Sequence, residues 1–123
     1  MTKTPKLLVV GGGPVGIVSA VAATQAGFDV ELIEAATEID TRPRASTTHP
    51  STLEMIDRIG LLDRFIAEGL VAREFQFWDR ETRSLVATFD HDLLRKDTRF
   101  PFVVQTEQHK LARMASTSCV NPV

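Results

Sequence analysis

Hydrophobic residues near the start of this chain form two short runs with an amphipathic stretch between them. Residues 7–10 and 30–33 have the length of buried strands, and the stretch between them has helical spacing. Parallel strands need a long crossover connection, which is usually a helix. The pattern therefore predicts a βαβ unit at the beginning of the chain.

The next part of the chain consists of a polar segment followed by a helical one. Residues 35–50 are polar with little periodicity, which predicts an extended loop. A helix capped by Ser51 or Thr52 follows and continues to about Glu68, with a break at Gly60. Its predicted apolar face is formed by Leu53, Ile56, Ile59, Leu61, Leu62, Phe65 and Ile66.

The second half of the chain has the alternation typical of strands. Two apolar segments flank the polar turn at residues 79–84, which predicts an antiparallel hairpin. The apolar residues of the hairpin, which we assign to strand packing, are Phe75, Phe77, Trp78, Leu85, Ala87 and Phe89. A short strand at residues 102–104 and a helix from about Thr106 complete the prediction. We divide the chain into four segments: a βαβ core with its following helix (1–72), a hairpin and strand (73–104), a helix (105–116) and a tail (117–123).

The turn after the first strand carries the pattern G-x-G-x-x-G. Gly11 permits the tight turn, Gly13 lets the backbone approach a pyrophosphate, and Gly16 lets the following helix pack closely on the strand. Pro14 suits the first helical turn, and the amides of a helix N-terminus attract phosphate. Four further positions of the dinucleotide-binding pattern are in register: Ala20, Gly27, Val30 and Glu34.

Glu34 lies at the end of the second predicted strand. Its carboxylate can accept hydrogen bonds from both hydroxyls of an adenosine ribose, and its charge should repel the 2′-phosphate of NADP. Two other interpretations of this region are weaker. A flexible glycine turn does not explain seven positions in register, and a secretory signal does not explain the glycines, the proline and the glutamate.

Composition limits the remaining function classes. The 123 residues, 43% of them apolar, suffice for one domain with a small core. A formal charge of -2 without a basic cluster predicts no nucleic acid or membrane partner. Cys119 stands alone, which favours a reducing cytoplasm. Three histidines have no partners at metal-ligand spacing, and we expect neither metal binding nor catalysis from His49, His91 and His109.

Several segments together resemble the class A flavoprotein monooxygenases of the para-hydroxybenzoate hydroxylase and phenol hydroxylase type. The resemblance covers nearly the whole chain, and its arginine loop and following helix are more particular than the glycine motif. Its elements are Gly11-Gly12-Gly13-Pro14-Val15-Gly16, Glu34, Arg42-Pro43-Arg44-Ala45, residues 49–61 and Gln105-Thr106-Glu107.

The resemblance implies a fold, a cofactor and a set of site residues. The fold is an α/β, Rossmann-like βαβ dinucleotide-binding fold with a small antiparallel hairpin insertion, incomplete relative to the family. Arg44 would reach toward the FAD phosphates, and Gln105 would open a helix beside the flavin. The cofactor-binding residues are then Gly11, Gly13, Pro14, Val15, Gly16, Glu34, Ala35, Arg44 and Gln105. NADH or NADPH would reduce FAD for hydroxylation of an aromatic or similar small molecule, and no catalytic residue can be assigned.

This sequence departs from the family in length. Family members are several times longer and carry later Asp-Gly and Gly-Asp motifs that cannot be assigned here. We therefore expect an N-terminal FAD-binding segment from a truncated, split or fragmentary gene, inactive alone. Its exposed apolar surface predicts marginal stability, self-association or a complementing chain. The alternatives are a non-catalytic module that binds flavin or NAD, and a remnant that binds nothing.

Overall fold

The first three elements of the chain form the predicted βαβ unit. The computed structural model describes residues 4–42 and 44–119. β1 (Lys6–Val10) is followed by α1 (Pro14–Gln25) and β2 (Asp29–Ile33). β1 and β2 pair in parallel over their whole lengths. This arrangement confirms the Rossmann-like unit predicted from the two apolar runs.

The turn between β1 and α1 requires glycine at two positions for different reasons. Gly11 has a φ of 107°, a backbone conformation that residues with a side chain rarely adopt. Gly16 lies in the first turns of α1, and a Cβ atom there would be 1.8 Å from the carbonyl oxygen of Gly11. The close packing of helix on turn therefore depends on the missing side chain at Gly16.

The predicted long loop and the following helix have the expected positions. The loop is irregular except for β3 (Thr47–Thr48), and the helix is split into α2 (Pro50–Arg58) and α3 (Leu62–Ala67). Gly60 lies in the break between them. The N-cap of α2 is His49, not the predicted Ser51 or Thr52, because Pro50 already occupies the first helical position.

A second sheet joins distant parts of the chain. Its strands are β3, β4 (Leu70–Ala72) and β7 (Val103–Gln105), with β7 in the middle and antiparallel to both neighbours. Gln105 is the last residue of β7. The final helix, α4 (Gln108–Cys119), begins after Gln105 and Thr106 and continues past the predicted end at residue 116. The rest of the predicted tail, residues 120–123, lies outside the described residues.

The predicted hairpin forms a third, separate sheet. β5 (Glu74–Trp78) pairs antiparallel with β6 (Leu85–Asp90), and a short 3₁₀ helix (His91–Leu94) follows. The rings of Phe75, Phe77 and Phe89 contact one another, with centroids 4.7 to 6.2 Å apart. Each of these three phenylalanines is about half exposed, so their side chains pack mainly on one another and not in the core.

The hydrophobic core lies between the helices and the middle strand of the second sheet. α1 packs against α4, and α2 and α3 enclose the other side. The largest fully buried side chains are Phe65, Leu53, Ile56, Met114, Val21 and Val104. Apolar residues of β1 and β2 remain outside this core: Leu8, Val10 and Ile33 are all exposed. Within the described part of the chain, no helix has both the length and the apolar character needed to cross a membrane.

Candidate cofactor-binding site

A cavity of about 560 Å³ opens where β1 and β2 end. In parallel α/β sheets, ligands bind at the carboxyl ends of the strands. Three segments line the cavity: the glycine turn with the start of α1, the loop after β2, and one side of α4. The cavity therefore lies at the position that the glycine motif predicts for a dinucleotide.

The glycine turn forms one wall of the cavity through Gly12, Gly13 and Pro14. A Cβ atom placed on Gly13 would meet no other atom within 4 Å. Gly13 is the N-cap of α1, and the helix that follows places its positive dipole end at this wall. The turn thus leaves open space beside backbone amides, which fits an anionic pyrophosphate.

Glu34 directly follows β2 and lines the cavity. Its Oε2 atom accepts a hydrogen bond from the amide of Gly12 at 2.5 Å, and its Oε1 atom accepts one from the amide of Ala36 at 2.8 Å. These backbone hydrogen bonds, the Ala36 bond foremost, hold the pKa of the Glu34 carboxyl below its ordinary value. The carboxylate is exposed and charged at neutral pH, as a ribose-binding acceptor must be.

The loop after β2 brings a carboxylate and two guanidinium groups together at the cavity. Asp40 accepts hydrogen bonds from the guanidinium groups of Arg42 and Arg44, both of which line the cavity. Hydrogen bonds from Arg42 and then Arg44 hold the pKa of the Asp40 carboxyl far below its ordinary range. Arg44 is therefore at the predicted site, but its partner in this structure is an acidic residue that the sequence analysis did not select.

α4 supplies the side of the cavity that sequence reasoning missed. Gln108, His109, Ala112 and Ser116 line it. Three of them recur at intervals of four residues, the spacing of one face of a helix. This spacing was visible in the sequence, but nothing local indicated that the face would meet the glycine turn.

The remaining predicted residues are not all brought together. Gly11 and Gly16 shape the turn from behind, Ala35 adjoins Glu34 without lining the cavity, and the side chain of Val15 is exposed. Gln105 lines a different cavity, of about 410 Å³, beside β4 and the start of α4.

At that second cavity, the Oε1 atom of Gln105 accepts hydrogen bonds from the hydroxyls of Ser46 at 3.4 Å and Thr47 at 3.2 Å. Gln105 ends a strand where the resemblance predicted that it would open a helix. Among the described residues, no cluster of His, Cys, Asp and Glu has the geometry of a metal site.

The family profile described as "FAD binding domain" matches residues 4–119. This chain belongs to the FAD binding domain family. The resemblance found in the sequence is thereby confirmed, and FAD is the cofactor of the family. The open space at Gly13, the N-terminus of α1 and the Arg44 guanidinium, which all adjoin the same cavity, fit the phosphates of that cofactor.

This FAD-binding domain is similar to parts of known monooxygenases. It is 32% identical over 114 residues to 6-hydroxy-3-succinoylpyridine 3-monooxygenase of Pseudomonas putida, a match that covers 93% of this chain and 29% of the relative. It is 31% identical over 108 residues to para-nitrophenol 4-monooxygenase of a Pseudomonas species, a match that covers 88% of this chain and 27% of the relative.

A solved structure agrees with these relatives. The crystal structure of p-nitrophenol 4-monooxygenase from Pseudomonas putida superposes on this FAD-binding domain with a TM-score of 0.84 at 29% identity. The superposition covers 95% of this chain and 29% of that one. The chain thus spans less than a third of the length of the relatives that it matches.

Proposed function

We propose that this chain binds the ADP half of FAD in the cavity at the glycine turn, as part of an NADH- or NADPH-dependent flavoprotein monooxygenase. The observation that carries the proposal is the open space at Gly13, which adjoins the N-terminus of α1 in a cavity that Arg44 and Glu34 also line. A site that must accept two phosphates and a ribose needs this combination of free amides, a cation and an acceptor.

Each group has a distinct role in the proposal. Gly11 and Gly16 shape the turn around the pyrophosphate, Pro14 begins α1, and Gly13 and Val15 present their backbone amides to the phosphates. Glu34 accepts hydrogen bonds from the ribose hydroxyls, and Ala35, the next residue, lies beside the adenosine. Arg44 contacts phosphate. Gln105, at the second cavity, contacts the flavin side of the cofactor.

The substrate class follows from the relatives. Both are named as monooxygenases of an aromatic compound, a hydroxy-succinoylpyridine and a nitrophenol, and we extend an aromatic or similar small-molecule substrate to this protein. When bound, FAD supplies the redox chemistry of such a reaction. We assign no acid, base or nucleophile among the residues that line the described cavities. Because the chain spans less than a third of the length of these relatives, we expect no hydroxylation by these 123 residues alone.

Two further properties belong to the same proposal. A lone cysteine and the cofactor chemistry favour a reducing, cytoplasmic location. Exposed apolar residues on β1 and β2, with Val10 78% exposed, favour self-association or packing against a complementing chain.

Titration calorimetry of the 123-residue chain with FAD, ADP and FMN tests the proposal. We expect saturable binding of FAD and ADP, because both carry the diphosphate and adenosine, and little binding of FMN. Gly13→Val should abolish binding, since its side chain would fill the space for phosphate. A folded chain that binds neither FAD nor ADP would contradict the proposal and favour a remnant without cofactor. Binding of FAD and ADP without any turnover by reconstituted full-length enzyme would indicate a non-catalytic flavin-binding module.

A further inference from the structure

Asp40 lies beside the cation that the proposed FAD site needs. We propose that the Asp40 carboxylate pairs with Arg44 when no ligand is bound. When the ADP half of FAD binds, Arg44 leaves Asp40 and pairs with the diphosphate. Asp40 is thereby a residue that sets cofactor affinity. The inference rests on the proposed function.

The contacts of Asp40 with its two arginines are unequal. Arg42 donates from Nε to Oδ1 at 2.9 Å, from Nη2 to Oδ2 at 2.8 Å, and from its backbone amide to Oδ1 at 3.1 Å. Arg44 contacts Asp40 at one point, donating from Nη2 to Oδ2 at 2.9 Å. A two-point guanidinium contact is stronger and more directional than a one-point contact. Arg44 is therefore the partner that a competing anion removes more easily.

The charges lining the cavity favour such an exchange. The described lining holds three carboxylates, those of Glu34, Glu38 and Asp40, and two guanidinium groups, those of Arg42 and Arg44. Carboxylates thus outnumber guanidinium groups by one in this wall. A diphosphate therefore meets no excess of guanidinium charge, and Arg44, which Asp40 holds at one point, is the guanidinium that it takes more easily.

Arg42 makes this exchange feasible. When Arg44 moves to phosphate, Asp40 keeps its two-point contact with Arg42, so its charge stays compensated. Protonation does not release Arg44 near neutral pH, because the two arginines keep the pKa of Asp40 far below its ordinary range. The arriving ligand is then the group that frees Arg44.

The test compares ADP binding by the wild-type chain, Asp40→Asn and Glu38→Gln at low salt. Both variants remove one negative charge from the cavity wall, but Glu38 makes no ion pair with either arginine in the described structure. We expect Asp40→Asn to raise ADP affinity about two- to fivefold above Glu38→Gln, the range of an exposed ion pair. Adenosine, which has no diphosphate, should show no such difference. Circular dichroism verifies that each variant is folded.

A third variant tests the role of Arg42. Arg42→Gln should lower ADP affinity, because Asp40 then loses its only other cationic partner when Arg44 leaves. The inference would be overturned if Asp40→Asn bound ADP no more tightly than Glu38→Gln does. It would also be overturned if Asp40→Asn raised the affinity for adenosine as much as the affinity for ADP. If the wild-type chain binds neither ADP nor FAD, the proposed function itself fails. If it binds both without an Asp40 effect, only this inference fails.

Discussion

The carboxylate of Glu34 accepts a hydrogen bond from the backbone amide of Gly12, and this bond joins the end of β2 to the turn that follows β1. A second bond, from the amide of Ala36, holds the other carboxylate oxygen. A Cβ atom on Gly12 would come within 3.1 Å of the Glu34 side chain, so the two residues are closely packed. Glu34 therefore shapes the glycine turn, in addition to the ribose-binding role that we propose for it.

Replacement of Glu34 should accordingly weaken binding of every ligand that contains ADP. We expect Glu34→Ala to lower FAD and ADP affinity at least about tenfold, because charged acceptors make strong hydrogen bonds. Glu34→Gln keeps one acceptor oxygen and should have a smaller effect. Calorimetric titration of both variants measures the difference. Unchanged affinity in both would contradict the assignment of Glu34 to the ribose.

Acid should destabilise the folded chain through the same carboxylate. The pKa of Glu34 is lowered in the fold, chiefly by the Ala36 and Gly12 amides, from an ordinary value of 4.5. A lowered folded-state pKa gives stability that is present above pH 4.5 and is lost as pH falls through the folded value.

The free energy of unfolding should therefore be flat near neutrality and fall below pH 4.5. Urea unfolding at a series of pH values measures this dependence. In Glu34→Gln the free energy of unfolding should fall less steeply below pH 4.5 than in the wild-type chain. The same steepness in both proteins would exclude a contribution from Glu34.

The two glycines that bracket the start of α1 should respond differently to the same substitution. In Gly16→Ala the new Cβ atom would lie 1.8 Å from the Gly11 carbonyl oxygen, so the helix must shift, at a cost of about 1–3 kcal/mol. In Gly13→Ala the new atom meets open space in the cavity.

We expect Gly13→Ala to keep most of the chain's stability and to lose ADP affinity, whereas Gly16→Ala should lose both. Thermal unfolding and ADP titration separate the two effects. Equal stability losses in the two variants would contradict the packing argument.

The core and the hairpin should also differ in their sensitivity to truncation. Phe65 is 1% exposed within the helical core, and Phe65→Ala should cost about 3–5 kcal/mol. Phe77 lies on the hairpin and is 51% exposed, so Phe77→Ala should cost much less. Urea unfolding curves of the two variants measure the difference. A comparable loss for Phe77→Ala would mean that the hairpin belongs to the core.

Gln105 provides a test of which part of the cofactor reaches the second cavity. Because Gln105 is separate from the cavity at the glycine turn, Gln105→Ala should lower FAD affinity and leave ADP affinity unchanged. Parallel titrations with FAD and ADP measure this split. An equal loss for both ligands would indicate that the substitution disturbs the sheet through Ser46 and Thr47, which donate to Gln105.

The βαβ unit could be predicted from the sequence because its determinants are local. A strand, a turn with Gly11 at positive φ and a helix with Gly16 against the turn lie within twenty residues of one another. The break at Gly60 and the hairpin were predicted for the same reason, since each depends on neighbouring residues.

The rest of the site depends on contacts between distant segments. Asp40, Arg42 and Arg44 stand at every second position of the sequence, but only the loop conformation turns that spacing into ion pairs. The α4 residues His109 and Ser116 reach the cavity because α4 packs on α1, which no local pattern specifies. Tertiary packing thus completes a site of which the sequence motif describes one wall.

The separation of the hairpin from the core has a consequence for how the chain opens. β5 and β6 pair with each other and with no other described strand, and their aromatic rings stack among themselves. An isolated two-stranded hairpin is only marginally stable. Its amide hydrogens should therefore exchange with solvent through local opening, much faster than those of α1 and α4. The chain would then unfold in two steps, and the nucleotide cavity would persist after the hairpin has melted.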